Sequence, residues 1–366
     1  MADARVLPIS NVKVGIKAED GGGNGFGAGI DQSGADGTPY RQLNVVQATK
    51  PTFNVTRESR LLSGRGSVKN AADTIIQAQG GTVTMPFDMV ATPKLLSQHL
   101  ALVGQEHSES GSGGSEVHET EFDGSSNAVS VGGTETNNIP HTVNLAYYPA
   151  AGEGIKITGV MCSDLSLSLD YGTNGGNMNM SGNYFSGFSN PVAAASCLEQ
   201  TFDGSWVAPA TDYWNIGAIT TKTLDVEANA TQPLVLKNFS LNISNGVNRI
   251  GFDSNGNAEA YAIPEYVITG SITIKYDDEF DYGAANNVLQ DFFDGDTLSL
   301  ALKWGDGTPS SAGEMNILAE CQYTGDPSQD ISENGIFHTL PFECVQNSST
   351  EALKITQFVG ESQSAW

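Results

Sequence analysis

The stretch that decides the fold is GTVTMPFDMVATPKLLSQHLALVG, residues Gly81–Gly104. In its first half apolar and polar residues alternate, which predicts a half-buried strand. In its second half the period changes to that of a helix. Thr92 suits the N-cap of this helix and Gly104 suits the position after its end. We therefore predict a strand, a tight turn and a short helix that packs one stripe against the core. The stripe consists of Leu95, Leu96, Leu100 and Val103.

A second copy of this unit lies about 190 residues further along the chain. The segment Gly270–Asp278 repeats the pattern of Gly81–Met89, and a helical stripe follows it before Gly295. Upstream, the predicted strands that begin at Phe53 and Phe239 occupy equivalent places. Elements in one shared order predict a diverged tandem duplication. The alternative is a chance match between two common strand–helix pairs.

The rest of the chain is typical of a mainly β protein. It has 42 glycines in 366 residues, many short alternating segments and little helical periodicity outside the two stripes. We predict two tandem β-sandwich or barrel domains, each with one flanking short α-helix. The first domain is residues 1–190, with an acidic, exposed and mobile insertion at 105–140. A connector at 191–230 leads to the second domain, residues 231–366, which ends in a C-terminal arm.

The charge of the chain is strongly negative and unevenly distributed. The 17 basic and 42 acidic residues give a net charge of −25. Residues 1–94 hold ten basic and eight acidic side chains (+2), so residues 95–366 hold seven and 34 (−27). Such a surface repels nucleic acid and anionic membranes. The densest basic cluster is either a solvated face or an inter-subunit contact. It consists of Arg57, Arg60, Arg65 and Lys69.

No motif in the sequence predicts catalysis or metal binding. The four cysteines include no CxxC pair, and His118-Glu119 has no second histidine at the spacing of a zinc protease. The glycine-rich run at 21–29 does not complete a dinucleotide-binding fingerprint. The segment Asp253–Asn257 resembles the start of a calcium loop, but an Asn-Gly turn explains it better. We therefore predict that the protein is not an enzyme and binds no cofactor.

Targeting signals are also missing from the sequence. The first residues lack an apolar core of signal-peptide length, and no apolar run approaches a membrane span. We expect a protein made in the cytoplasm, with free thiols and no membrane partner. One alternative stays open, a secreted acidic β-rich adhesin or glycan-binding protein, although the missing signal counts against it.

Several segments together resemble the tail tube (major tail) proteins of long-tailed bacteriophages. In the first half these are Thr56–Ser59 and the segment 81–104. The second half is closer, in NFSLNISNGVNRIG (238–251) and VITGSITIKYDDEFDYGAANNVLQDFFDG (267–295). LSLALKW (298–304) and IFHTLPFECVQNSSTEALKITQFVG (336–360) also have the family's pattern. The insertion and the connector have no counterpart in it.

The resemblance implies a structural virion protein built from tail-tube-like domains. Such proteins polymerise as stacked rings into the tail tube, the channel for DNA ejection. The implied partners are further copies of the chain, the tape measure protein and the tail terminator protein, while DNA passes without specific binding. The implied location is the virion tail, after assembly in the host cytoplasm.

The resemblance also bears on the symmetry of the ring. Because tubes of this kind usually use six copies of one domain, a duplicated chain favours three subunits per ring over six. One large domain in a ring of six subunits is the alternative. Candidate lumen-lining residues, on the polar faces of the duplicated strands, are Asp88 and Asp277.

Overall fold

The protein is described from a computed structural model. The residues described are 12–18, 40–46, 49–55, 81–103, 106–123, 142–149, 154–188, 202–204, 213–226, 232–251, 257–275, 292–305, 307–332, 335–347 and 350–361. Almost all regular structure in them is strand, so the prediction of a mainly β protein is confirmed.

Among the described residues of the first half there is one α-helix, α1, which lies between the fourth and fifth strands. The elements of this half are β1 (Lys13–Ala18), β2 (Tyr40–Gln42), β3 (Thr52–Val55), β4 (Gly81–Val90), α1 (Pro93–Val103), β5 (Glu106–Ser110), β6 (Val117–Phe122), β7 (Val143–Tyr148), β8 (Ile155–Asp170) and β9 (Asn179–Ser186). Short 3-10 turns lie at Asn174–Gly176 and Ile216–Ala218.

The second half is again built of strands. They are β10 (Phe202–Asp203), β11 (Thr221–Val226), β12 (Gln232–Pro233), β13 (Leu236–Ser244), β14 (Asn248–Ile250), β15 (Ala260–Ala262), β16 (Val267–Lys275), β17 (Leu298–Trp304), β18 (Met315–Tyr323), β19 (Ser328–Ser332), β20 (Gly335–Cys344) and β21 (Leu353–Phe358). Helical residues at 292–294 lie between β16 and β17 along the chain. Helix α1 lies likewise between β4 and β7, although the hairpin β5–β6 also lies in that interval.

Seven strands of each half pair in the same order. In the first half, which we name unit 1, the order across the sheet is β2-β1-β7-β8-β9-β4-β3. In the second half, unit 2, it is β12-β11-β17-β18-β20-β16-β13. Every one of these pairings is antiparallel, and the strands follow the same sequence order in both units.

The registers of the two units agree as well. Phe53 of β3 lies opposite Val83 of β4, and Phe239 of β13 lies opposite Ile272 of β16. These are the positions that the alignment of Gly81–Met89 with Gly270–Asp278 makes equivalent. The shared order and register support the duplication, which stays a prediction.

The two units are joined edge to edge. The second part of β8 continues past β7 and pairs with β13, the edge strand of unit 2. At the other junction β21 lies between β18 and β6. Buried apolar side chains of both halves form one contiguous core. Unit 2 begins with β11, at Thr221, which is inside the connector predicted at 191–230.

Helix α1 is more deeply buried than a one-sided stripe predicts. The four predicted stripe residues are fully buried, but so is the polar Gln98. The cause is that α1 packs against β8 on one side and contacts β5, β6 and β21 on the others. The side-chain amide of Asn245 donates to the carbonyl oxygen of Val103 at 2.7 Å and so caps the last turn. In unit 2, Phe293 belongs to the helical stripe predicted before Gly295, and its side chain is 72% exposed.

The prediction of a mobile, exposed insertion at 105–140 is wrong for residues 106–122. They form the hairpin β5–β6, whose second strand pairs along its length with β21. In β6 every second side chain is buried, namely those of His118, Thr120 and Phe122, and in β5 the side chain of His107 is buried. In β6 the acidic Glu119 and Glu121 occupy the alternate positions, so a strongly charged strand still supplies one buried face. Residues 124–140 lie outside the described residues.

Candidate channel face

A polar face covers six neighbouring strands, β4, β9, β8, β13, β16 and β20. It arises from strict alternation, as in β8, where leucines at 165, 167 and 169 are buried and Ser166 and Ser168 lie on the opposite side. We name this surface the channel face. Its members are Thr82, Thr84, Pro86 and Asp88 on β4; Asn179, Ser181 and Asn183 on β9; Asp164, Ser166, Ser168 and Asp170 on β8; Asn238, Ser240, Asn242 and Ser244 on β13; Thr269, Ser271 and Thr273 on β16; Thr339, Pro341 and Glu343 on β20.

The channel face runs without a break from unit 1 into unit 2. This continuity comes from the β8–β13 junction, where Ser166 lies opposite Asn242. One row of directly opposed residues crosses all six strands and has a carboxylate at each end. It reads Asp88, Ser181, Ser166, Asn242, Thr269, Glu343.

The short side chains of this face bond to one another across the strands. The Ser166 hydroxyl donates to Oδ1 of Asn242 at 2.7 Å, which ties the two units together. Further along, the hydroxyl oxygens of Ser240 and Ser271 lie 2.9 Å apart. These bonds hold the polar groups close to the sheet. A shallow concavity of about 410 Å³ lies over them, on both sides of the junction.

The charge of the channel face is negative. The members named above include four carboxylates, and an exposed lysine, Lys275, ends β16 on the same side as Thr273. A surface of this charge offers few of the cations that hold phosphate groups.

Comparison with known proteins decides the family. The sequence model of the family described as "Phage tail tube protein" matches residues 9–344. The chain belongs to this family. A search of curated proteins found no match.

Because it belongs to this family, the tail tube protein is a structural component of the virion tail. The family is structural and not catalytic. The family builds tubes by self-assembly together with other tail proteins. This match confirms the resemblance seen in the sequence. The tail tube interpretation therefore replaces the alternative of a secreted adhesin. No helix among the described residues has the length and hydrophobicity for crossing a bilayer. Nor does the described part of the chain bring three or more His, Cys, Asp or Glu side chains together as metal ligands.

The structure places one of the two predicted lumen residues. Asp88 is an exposed member of the channel face and accepts a hydrogen bond from the side-chain amide of Asn179 at 2.6 Å. Asp277 lies outside the described residues. So do all four members of the predicted basic cluster, Arg57, Arg60, Arg65 and Lys69.

Sequence reasoning missed the centre of the channel face, the opposed pair Ser166 and Asn242. Alternation indicates which side chains of one strand share a face, but nothing local to β8 or β13 shows that the two strands are neighbours. The signal that was available is the shared composition, because both strands alternate leucine, isoleucine or phenylalanine with serine, asparagine or aspartate.

Beneath the helix of this tail tube protein lies a buried histidine network. The Nε2 of His118 donates to the carbonyl oxygen of Glu361 at 2.9 Å, so Nδ1 of the neutral ring accepts a hydrogen bond from the Ser97 hydroxyl at 2.8 Å. Nε2 of His107 lies 3.2 Å from the same Nδ1. Nδ1 of His107 lies 2.6 Å from the Thr120 hydroxyl. The network joins α1, the β5–β6 hairpin and the residues after β21.

Burial decides the protonation of His118. It lowers the pKa of His118, because a cation is poorly solvated there, whereas the Glu361 carbonyl and the carboxylates of Glu109 and Glu116 oppose the shift. The ring is therefore neutral at pH 7. We assign the network a structural role, since its polar atoms bond to one another inside the fold.

Proposed function

We propose that this tail tube protein polymerises as stacked rings into the phage tail tube, and that its channel face lines the passage for DNA. One observation carries the proposal. The channel face is a continuous and largely polar surface across six strands, with four carboxylates and a lysine, Lys275, at the end of β16.

The chemistry of the face suits the passage of a polyanion. Proteins hold DNA mainly through Lys and Arg contacts to phosphates, and each such contact adds to binding. Serine, threonine and asparagine side chains keep the surface wet and close to the sheet, while Asp88 and Glu343 repel phosphates at the two ends of a row. DNA that passes such a wall is guided by repulsion and is not bound.

The number of subunits follows from the two units. If rings of this family have six domains, three chains with two similar units fill one ring, with exact three-fold and approximate six-fold symmetry. The shared strand order and the register of Phe53–Val83 and Phe239–Ile272 support this. In such a ring unit 1 of one chain alternates with unit 2 of the next.

Other features of the proposal rest on the family and on the sequence. The tape measure and tail terminator proteins are the proposed partners at the lumen and the end of the tube. Assembly is proposed to take place in the host cytoplasm. We also propose that the cationic cluster of unit 1 contacts the acidic surface of a neighbouring subunit. Its residues are Arg57, Arg60, Arg65 and Lys69.

A cryo-electron map of tubes formed by the purified chain, reconstructed without imposed symmetry, tests this function. We expect three densities per ring, each with two similar lobes, and Ser166 and Ser240 facing the central channel. Six identical densities, each large enough for all 366 residues, would refute the trimeric ring. Tubes whose lumen is lined by another surface would refute the assignment of the channel face.

A further inference from the structure

Two buried cysteines face each other inside unit 2. Cys321 of β18 lies directly opposite Cys344 of β20 in the antiparallel pairing of these strands. Their side chains are 1% and 9% exposed, and both are free thiols within the apolar core. Alternation along β20 places Cys344 and the channel-face residue Glu343 on opposite sides of the sheet. The cysteine pair is therefore separate from the channel face.

The backbone hydrogen bonds beside the pair show how close the two cysteines are. The amide of Val345 donates to the carbonyl oxygen of Glu320 at 2.8 Å. Because hydrogen-bonded and non-hydrogen-bonded pairs alternate in an antiparallel ladder, Cys321 and Cys344 form a non-hydrogen-bonded pair. The α-carbons of such a pair lie about 4.5 Å apart. A disulfide bond joins α-carbons about 4.4–6.8 Å apart, so the bond fits between these two strands.

The two thiols are also in contact with each other. The thiol of Cys344 is a side-chain hydrogen-bond partner of the Cys321 thiol. The Sγ atom of Cys321 lies 3.6 Å from the carbonyl oxygen of Ala319, to which it donates. Cys162 of unit 1 provides a contrast, because this buried cysteine lies opposite Tyr184 of β9. The sulfur atoms of unit 2 are thus already neighbours in the reduced chain.

The cysteine pair lies where β18 changes its partner strand. On one edge of β18, residues 315–319 pair with β21 and residues 321–323 pair with β20. Glu320 lies between the two, since its amide donates to the carbonyl oxygen of Ala352 at 3.0 Å and its own carbonyl accepts from Val345. The two cysteines are the first opposed residues on the β20 side. A covalent bond between them would hold β20 against β18 at the point where two strands share one edge.

Burial controls how fast this pair reacts. Burial raises the pKa of Cys321 well above its usual range, and the thiol of Cys344 and the carboxylate of Glu320 shift it in the same direction. Because the thiolate is the reactive form, oxidation of the folded chain is slow. Cys344 is the more exposed of the two cysteines, so an oxidant from solvent reaches it first.

We propose that Cys321 and Cys344 form a disulfide bond after the tail leaves the reducing interior of the host cell. Cytosolic thiols keep such pairs reduced, whereas disulfides form and persist on virions in an oxidising medium. The bond lies within one subunit, so it needs neither the ring nor the channel face. Only its timing rests on the proposed assembly in the host cytoplasm. The disulfide fixes β18 to β20 in the finished tail.

The reaction needs an oxidant, and a small disulfide such as oxidised glutathione is sufficient. The thiolate of Cys344 attacks one sulfur of the small disulfide, and the other half leaves as a thiolate. The thiolate of Cys321 then attacks Sγ of Cys344 and expels the second half. Two electrons pass from the cysteine pair to the small disulfide, and the protons lost by the cysteines end on the two small thiols released.

Mass spectrometry after digestion with a glutamate-specific protease tests the bond directly. Cleavage after glutamate places the two cysteines in separate peptides, 321–333 and 344–351. The purified chain is incubated with oxidised glutathione or with a reducing agent, and the remaining thiols are then blocked in denaturant. We expect the two peptides to be joined in the oxidised sample and to be separate and blocked in the reduced sample. Separate peptides in both samples, or Cys321 joined to another cysteine, would overturn the proposal.

The same digest of phage particles tests the timing. Particles harvested from the culture medium should contain the joined peptides. Particles released by lysis directly into a thiol-blocking reagent should contain the separate, blocked peptides. Joined peptides in the freshly lysed sample would overturn formation after release. Because the unassembled chain is tested by itself, a missing disulfide overturns this inference alone, and missing tubes overturn only the proposed function.

The stability of the oxidised and reduced chains provides an independent measurement. Oxidation of the wild type should raise its unfolding temperature by about 5 °C, because the bond restricts the unfolded chain. Cys344→Ala should abolish the difference between oxidised and reduced samples. Cys162→Ala is the matched control, since this cysteine is also buried but faces Tyr184, and it should keep the difference.

The two samples are compared within each variant, so any loss of stability caused by the substitution itself cancels. An equal shift in Cys344→Ala, or no shift in the wild type, would contradict a disulfide between β18 and β20.

Discussion

The Nε2 atom of His99 lies 2.6 Å from the hydroxyl oxygen of Tyr184 in the core. The other ring nitrogen, Nδ1, donates to the carbonyl oxygen of Leu95 at 2.6 Å. Nε2 of the neutral ring therefore accepts the hydroxyl hydrogen of Tyr184. Burial lowers the pKa of His99 from 6.5 to about 4, and the Leu95 carbonyl opposes part of this shift. A proton added at Nε2 would have to displace the hydrogen bond from Tyr184.

This arrangement predicts that acid destabilises the folded chain. Below pH 6.5 the unfolded chain binds a proton at His99 before the folded chain does, so the free energy of unfolding decreases as the pH falls from about 6.5 to about 4. The total loss from this residue is about 3 kcal/mol. Urea denaturation of unassembled protein over this pH range measures it. His99→Asn should flatten the pH dependence, and an unchanged slope in that variant would contradict the assignment.

Truncation of the helix stripe should destabilise the protein. Leu100 is fully buried on α1, so Leu100→Ala removes packed atoms and leaves a cavity. We expect a loss of about 2–5 kcal/mol in the free energy of unfolding. Val235→Ala, at an apolar position that is 61% exposed, is the matched control and should cost less than about 0.5 kcal/mol. Similar losses in the two variants would show that α1 is not packed as described.

Cations on the channel face should slow DNA ejection. In the proposed channel, Asp88→Lys and Ser240→Lys each place an ammonium group on the wall, and each fixed cation would bind phosphates of passing DNA. Particles that carry these variants should assemble normally and eject DNA more slowly, with the delay reduced at high salt. Asp88→Asn and Ser240→Asn are the neutral controls. Unchanged ejection rates in both lysine variants would remove these residues from the wall.

The β5–β6 hairpin should resist proteolysis despite its acidic sequence. A protease specific for glutamate should leave the bonds after Glu119 and Glu121 uncut in the folded chain, because β6 lies between β5 and β21. A protease of broad specificity should instead cut the exposed turn at 111–115. Rapid cleavage after Glu119 under native conditions would show that the hairpin is not docked.

The sequence predicted those features that depend on residues close together along the chain. The alternation in Gly81–Met89 and the helical stripe around Leu100 depend on the chemistry of adjacent residues, and both predict the elements that form there. The repeat of Gly81–Met89 at Gly270–Asp278 extended this to a second unit, with a register that the structure shares at Phe239 and Ile272.

Predictions from the sequence were wrong where a strand pairs with a strand that is distant along the chain. Within Glu106–Phe122, local composition favoured disorder because serine, glycine and glutamate outnumber apolar residues. The buried face of that hairpin depends on β21, more than 230 residues away, where Thr356 lies opposite Glu119. The predicted set of lumen-lining residues was incomplete for the same reason. The central pair of the channel face, Ser166 and Asn242, joins strands from different halves of the chain.

The junction of β8 and β13 has a kinetic consequence. Because both strands belong to one polypeptide, they meet at an effective concentration set by the chain between them and not by the amount of protein present. Dilution weakens every contact between separate molecules but leaves this junction intact. A ring of six separate domains needs six contacts between molecules, whereas three chains with built-in junctions need three. In the proposed ring of three chains, covalent linkage of the two units would thus lower the reaction order of ring closure and make it less sensitive to expression level.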